Sequence, residues 1–425
     1  MTIKDFPEWA IKENVDFAVS EIGKVIKKYG PRESGNQACY DAEKHLKKEM
    51  DQFCDEVHFE EYKCAPKAFL HFTKPSAVFI GLAIIVGYVL SFLGIIDNMW
   101  AHVIAGAACV IVLFVAYFEF LIYKEFLDGL YKKVTAHNLV ATRKPKGEVK
   151  RRIIISGHID AAYEWRHILY FGGKGFGPLM FGAIAFALLT VIITMLNVIA
   201  NFVDMGAFGS FLQNYSYYIN AVTLLLMIPL FTFCNFKRVS PGANDNLTGT
   251  YAAVCALRML DMAGVDFENT EVVAMINDGE ECGLRGARAY AKAHLDELTD
   301  PNVETAVLCV DTVTDYDYIN IYRSDMTNTV KHDLGFSQLV LDAAHEVGLE
   351  KAKFSNIYFG ASDAAAFTQL GITATCFAAM DPTPADYYHN RRDTADLLQP
   401  KTIEAGFKTV IATILNFDAH GAKNK

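Results

Sequence analysis

Four long stretches without charge constrain this chain more than any other feature. No Lys or Arg occurs between Lys74 and Lys124, and within that window residues 76–96 and 98–118 carry no charged side chain at all. The pattern recurs between Lys174 and Lys237, where 175–203 and 205–236 are separated only by Asp204. Each run reaches the roughly 20 residues that a helix needs to cross the hydrocarbon core of a bilayer. A helix apolar on all faces can also be buried in a large soluble core. Four such runs with Lys or Arg only at their ends fit membrane spans better, and they are expected near 76–96, 101–122, 177–200 and 217–236. They pair as two hairpins with turns near 97–100 and 201–216.

Both hairpins leave from and return to polar sequence, so the lipid bilayer is an expected partner and the polar remainder lies on one side of it. The flanking charges Lys63, Lys67, Lys74, Lys124, Lys132, Lys133, Lys174, Lys237 and Arg238 all lie outside the runs. By the positive-inside rule that side is cytoplasmic, with both termini on it. The opening segment MTIKDFPEWAIKENVDF mixes charged with apolar residues and lacks the apolar core of a secretory signal. Nine cysteines, an odd number without CxxC spacing, argue for reduced thiols rather than disulfides or a cysteine-bound zinc. With 39 basic against 49 acidic residues, net charge −10, nucleic acid is not expected as a partner.

Removing hairpins 76–123 and 176–236 leaves 1–75, 124–175 and 237–425, enough for one discontinuous α/β domain. Strands are predicted at 57–62, 137–142, 152–156, 271–276, 306–311, 320–322 and 373–378. Helices are predicted from Pro7 to the Gly30-Pro31 stop, then at 37–53, 249–262, 284–294, 336–347, 363–370 and 402–419. Alternation of this kind implies a mixed, mostly parallel sheet flanked by helices, with functional groups at the carboxyl ends of its strands.

Polar residues occur at those ends. The buried-strand pattern RRIIIS runs into Gly157-His158-Ile159-Asp160, where residues two apart share a face, so Asp160 can hold the His158 imidazole toward a metal. Asp245 sits in the polar turn SPGANDNLTG at a helix start. The strand VVAMIN leads into Asp278-Gly279-Glu280-Glu281, and two adjacent glutamates suit a division of labour between metal binding and general base catalysis. Asp311 ends the apolar strand AVLCVD, and His389 lies in YYHNRRDT, four residues before Asp393. Singly these read as N-caps, acidic turns or surface histidines. Jointly, two His and several acids at strand ends suit two divalent metals with mixed N and O ligands and a water left to activate.

The segments GHIDA, GANDNLTG, NDGEECGLRGARAY, LCVD, GASDAAAF and YHNRRDTAD, in this order, resemble metallopeptidase family 28, the co-catalytic zinc aminopeptidases and their glutaminyl cyclase relatives. The resemblance implies a zinc exopeptidase-like fold and two zinc ions, with Asp245 bridging, His158 and Asp311 on one ion, and Glu281 and His389 on the other. It implies Glu280 as general base with a metal-bridging hydroxide, Asp160 as the group orienting His158, and peptides with a free N-terminus as substrates. Two positions depart from the family, which often has Ser where Ala287 stands and His where Ala364 stands; neither is an implied ligand. The hairpins are the larger departure, since the second one separates His158 from Asp245. Besides an aminopeptidase, the pattern leaves open a glutaminyl cyclase-like zinc acyltransferase and a non-catalytic membrane receptor or scaffold on a peptidase fold.

Overall fold

The computed structural model describes residues 1–326, 328–358 and 360–422. The chain divides into two compact units, one of Met1–Pro66, Tyr131–Glu164 and the sequence from Lys237 onward, the other of Lys67–Leu130 and Trp165–Phe236.

The first unit is built on an eight-stranded sheet. Its strands are β1 (Glu56–Cys64), β2 (Val134–Arg143), β3 (Arg151–His158), β4 (Thr270–Asn277), β5 (Glu304–Val313), β6 (Ile319–Tyr322), β7 (Lys353–Ser355) and β8 (Ala374–Ala379). They lie in the order β1-β2-β4-β3-β5-β8-β6-β7. The central strands β4, β3, β5 and β8 run parallel, and β1, β2 and the β8–β6 pairing are antiparallel. Helices flank this sheet, as expected for the mixed, mostly parallel class.

The apolar run of β3 shows why a central strand carries no polar alternation. Ile153 and Ile155 enter the core beneath α1 (Glu8–Tyr29), α3 (Thr248–Met262) and α7 (Pro400–His420), while Ile154, one residue out of phase, is equally buried. A sheet covered on both faces selects apolar residues at every position. The remaining helices α2 (Gln37–Met50), α4 (Arg285–Ala293), α5 (Leu334–Glu346) and α6 (Asp363–Thr368) complete the layers, with α4 and α6 packed on one another. The short β7 is absent from the sequence reading. Three residues, KFS, are too few to show a period.

The second unit holds, among the described residues, four helices long and apolar enough to cross a membrane: Ala68–Phe92, Asn98–Leu121, Arg166–Ile199 and Gly206–Thr232. The fourth begins within the segment expected to be a turn, and its predicted end at Cys234–Phe236 is strand instead. The reason lies in Ser216 and Asn220, polar side chains that this helix buries. Asn197 donates to Ser216 Oγ at 2.9 Å, Ser216 Oγ meets His102 Nε2 at 3.0 Å, His102 Nδ1 meets Tyr88 at 2.8 Å, and Asn220 donates to the same Tyr88 hydroxyl at 2.8 Å. Inside an apolar bundle such side chains pair with one another rather than mark a loop. Gly106 marks a close helix approach, because a Cβ there would lie 2.5 Å from Thr194 Cγ2. Glu119, near the end of the second apolar helix, is buried within this unit and accepts the Leu127 N–H at 3.0 Å.

Candidate metal centre

The carboxyl ends of β3, β4 and β5 converge at the N-terminus of α3, and two glycines permit the approach. A Cβ on Gly157 would lie 2.4 Å from the Gly249 carbonyl carbon, and one on Gly249 would lie 2.0 Å from the Val310 oxygen. The glycines of GHIDA and GANDNLTG thus let the first turn of α3 sit directly on β3 and β5. Residues Asp245 and Asn246, just before that turn, are non-helical, and the peptide between them is cis. Asn246 locks the junction, donating to the Val310 carbonyl at 2.9 Å and accepting from Gly249 and Thr312 N–H at 2.8 and 3.2 Å.

Around this junction the structure gathers the residues singled out in the sequence. Asp245 presents one carboxylate oxygen to each histidine: Oδ1 lies 3.4 Å from His158 Nε2, and Oδ2 lies 3.1 Å from His389 Nε2. His158 Nε2 also faces Glu280 Oε2 at 3.8 Å and Asp311 Oδ1 at 3.9 Å. His389 Nε2 also faces Glu281 Oε1 at 3.4 Å. Candidate ligand atoms of His158, Asp245 and Asp311 lie within 4.8 Å of one another, as do those of Asp245, Glu281 and His389, and those of His158, Glu280 and Glu281.

The imidazole of His158 is oriented from behind. Its Nδ1 donates to the Asp160 main-chain carbonyl at 3.1 Å, closer than the Asp160 carboxylate at 3.4 Å. A carbonyl only accepts, so the proton sits on Nδ1 and Nε2 faces the acids. The Asp160 carboxylate is directed mainly elsewhere. It accepts the main-chain N–H groups of Glu280 and Glu281 at 3.2 and 3.1 Å and the Ser34 hydroxyl at 2.6 Å.

Three further acids and one cation support the set without standing out in the sequence. Asp393 accepts from Asn244 and Asp245. Asp363, at the start of α6, is buried and accepts from Asn277 at 2.7 Å. Burial pushes its carboxyl up to about 7, against the pull of His158 and of its bond to Asn277. The loop that carries His389 is held by Arg391, whose guanidinium donates twice to the buried Glu164 carboxylate at 2.6 and 2.7 Å.

This much negative charge out of water calls for cations. Burial drives the Glu281 carboxyl well above its ordinary range, and Asp245 and Glu280 push the same way. At Asp245 burial acts in the same sense but is outweighed by His158 and His389, which hold it below that range. Asp245 Oδ2, Glu281 Oε1 and His158 Nε2 are buried with no hydrogen-bond partner among the described residues. Imidazole nitrogens and carboxylate oxygens are the donors zinc takes, and the residues present fit zinc.

Residues 232–414 match the model of peptidase family M28. The matched stretch contains Asp245, Glu280, Glu281, Asp311 and His389 and begins after His158 and Asp160. No curated protein matches the chain. Among solved structures, the zinc aminopeptidase BSAP of Bacillus subtilis is 14% identical, with 97% of this chain and 96% of that one covered and a TM-score of 0.53. The LapA aminopeptidase of Legionella pneumophila is 12% identical over 98% of this chain and 73% of that one, also at TM-score 0.53. A glutaminyl cyclase from an Acidobacteriales bacterium is 13% identical over 96% of each chain, at TM-score 0.54. The fold is that of the zinc exopeptidases, and together with the family match it supports a peptidase.

Proposed function

We propose that this chain is a membrane-anchored di-zinc aminopeptidase that removes residues from peptides with a free N-terminus. The observation that carries the reading is the division of Asp245, one carboxylate oxygen toward His158 and the other toward His389. His158 and Asp311 would complete one zinc site, and Glu281 and His389 the other. Bound zinc supplies Lewis acidity, which polarises a carbonyl and eases the deprotonation of water near neutral pH. The chain supplies the rest. Glu280 takes the proton of the attacking water and passes it to the leaving amine, held for this by the Asp160 clamp on its main chain. Asp160 and Asp245 fix the two histidines, and the four apolar helices anchor the catalytic unit at a bilayer.

The test is a release assay on matched peptides with free and acetylated N-termini, with zinc measured on the same sample. Release from the free series only, with about two zinc ions per chain, is expected. Hydrolysis of both series would sink the aminopeptidase reading. The likeness to a glutaminyl cyclase favours one alternative, and ammonia release from N-terminal glutaminyl peptides without hydrolysis would establish it.

A further inference from the structure

A second group of metal-ligating side chains lies outside the set just described. Cys39 and Glu43 are one turn apart on the inner face of α2, and Asp278 follows β4 directly. A sulfur or oxygen atom from each lies within 4.8 Å of the others. All three are sealed from solvent, with exposures of 0% for Cys39 and 1% for Asp278, and Glu43 at 0%.

Neither oxygen of the Glu43 carboxylate has a hydrogen-bond partner among the described residues. Asp278 uses Oδ2 to accept the Gly35 N–H at 2.8 Å, while its Oδ1 is likewise unpartnered. The charges acting on Glu43 are those of Asp278 and Asp160, both repulsive. The nearby guanidinium of Arg32 does not compensate, since it donates to the main-chain carbonyls of Ile159, Gly30 and Gly242. A buried carboxylate with two bare oxygens is strongly disfavoured unless a proton or a cation joins it.

We propose that Cys39, Glu43 and Asp278 bind a structural zinc ion, separate from the site around Asp245. One thiolate and two carboxylates are zinc donors, and the thiolate favours zinc over magnesium or calcium. Binding releases the Cys39 proton, and the ion neutralises the facing acids. It ties α2 to the end of β4, two residues before Glu280. The spacing of cysteines along the chain conceals such a site, because only one ligand is a cysteine and the third follows a strand more than two hundred residues away.

The site around Asp245 contains no cysteine, so sulfur reports on the new site alone. Full-length protein made in cobalt-supplemented medium and purified in detergent should show thiolate-to-cobalt charge-transfer absorption in the near ultraviolet. Cys39→Ser should abolish that band and lower the metal content by about one ion per chain. Glu280→Gln should leave the band in place. Wild-type protein that holds cobalt without the band, or a band that survives Cys39→Ser, overturns the proposal. Should Cys39→Ser fail to fold, the wild-type spectrum decides alone. A single ion per chain that carries the band would uphold this site while sinking the two-zinc reading. Protein with no metal at all would sink both. Stabilisation by Glu43→Gln without metal loss would mean that the acids share a proton instead.

Discussion

Asp393 Oδ2 accepts the main-chain N–H of Asp245 at 3.1 Å, while its Oδ1 accepts the N–H and the side-chain amide of Asn244 at 2.8 and 2.7 Å. One buried carboxylate therefore fixes the turn from which Asp245 reaches both histidines. Burial pushes Asp393 up to about 7 and the Asp245 charge adds to the push, against the pull of these bonds. Outer partners of this kind are typically worth 10- to 100-fold in metal affinity or activity, so Asp393→Ala should cost roughly that much. Competition with a chelator, compared with wild type, measures it. Unchanged metal retention would show that Asn246 suffices to hold the turn.

The paired glutamates separate the two roles assigned to them. Glu281 Oε1 lies 3.4 Å from His389 Nε2, whereas Glu280 Oε2 lies 3.8 Å from His158 Nε2. Glu280→Gln should keep the metals and lower turnover by on the order of 100-fold or more. Glu281→Gln should lose metal. Metal analysis and kcat on both variants decide the matter, and the reverse pattern would exchange the roles.

Gly249 tests the packing beneath the site rather than its ligands. An added methyl would meet Val310 oxygen at 2.0 Å and Asn246 Oδ1 at 2.4 Å, both parts of the junction that carries Asp245. Overpacking costs about 1–3 kcal/mol and sometimes more. Gly249→Ala should lower thermal stability by about that amount and weaken metal binding together with it. Full activity at wild-type stability would mean that α3 can draw back from β5.

Much of this was legible in the chain because each part has a local signature. Strand β3 reads as IIIS between Arg152 and Gly157, the two glutamates follow a strand, and each of the four apolar runs has the length of a bilayer-crossing helix. The residues that stayed silent act across long sequence separations. Asp363 and Asp393 resemble helix-start and loop acids until the fold sets them beside Asn277 and Asn244. The spacing of Asp160 two residues after His158 predicts a carboxylate that orients the imidazole. In the fold the nearer contact of His158 is the Asp160 carbonyl, while the carboxylate clamps Glu280 and Glu281. Residues 213–216 fall in the expected turn for a similar reason, since Ser216 meets His102, which lies on another helix.

A pH effect on stability should arise at Glu49, on α2. Glu49 shares His45 with Glu21, His45 Nε2 being 3.2 Å from each, and Lys24 pairs with Glu21. Burial drives the Glu49 carboxyl up to about 8 and Glu21 adds repulsion, while Lys24 and Arg258 pull weakly the other way. The folded value lies above the unfolded one, so the protonated form contributes stability that is complete below pH about 4.5 and lost as pH rises through about 8. Glu49→Gln should remove that loss, leaving the variant more stable than wild type at the alkaline end of the window. Thermal melts across the window check it, and parallel profiles for the two proteins would refute the assignment.

Topology would decide which peptides the proposed aminopeptidase can meet. The turn between the third and fourth apolar helices contains Asp204 but no Lys or Arg, and the same holds for the turn at Asp97, whereas basic residues flank the outer ends of both hairpins. The asymmetry predicts that both turns face away from the cytoplasm while the catalytic unit faces it. Single cysteines at Asp204 and at the exposed Lys292, in a chain whose native cysteines are replaced, separate the possibilities. An impermeant maleimide added to intact cells should label the first and spare the second until the membrane is opened. Cys39→Ser belongs to that background and would empty the proposed structural site, so the labelling is checked against a second background that retains the buried Cys39. Labelling at Lys292 alone would invert the orientation, and release of the protein by carbonate washing would remove the spans themselves.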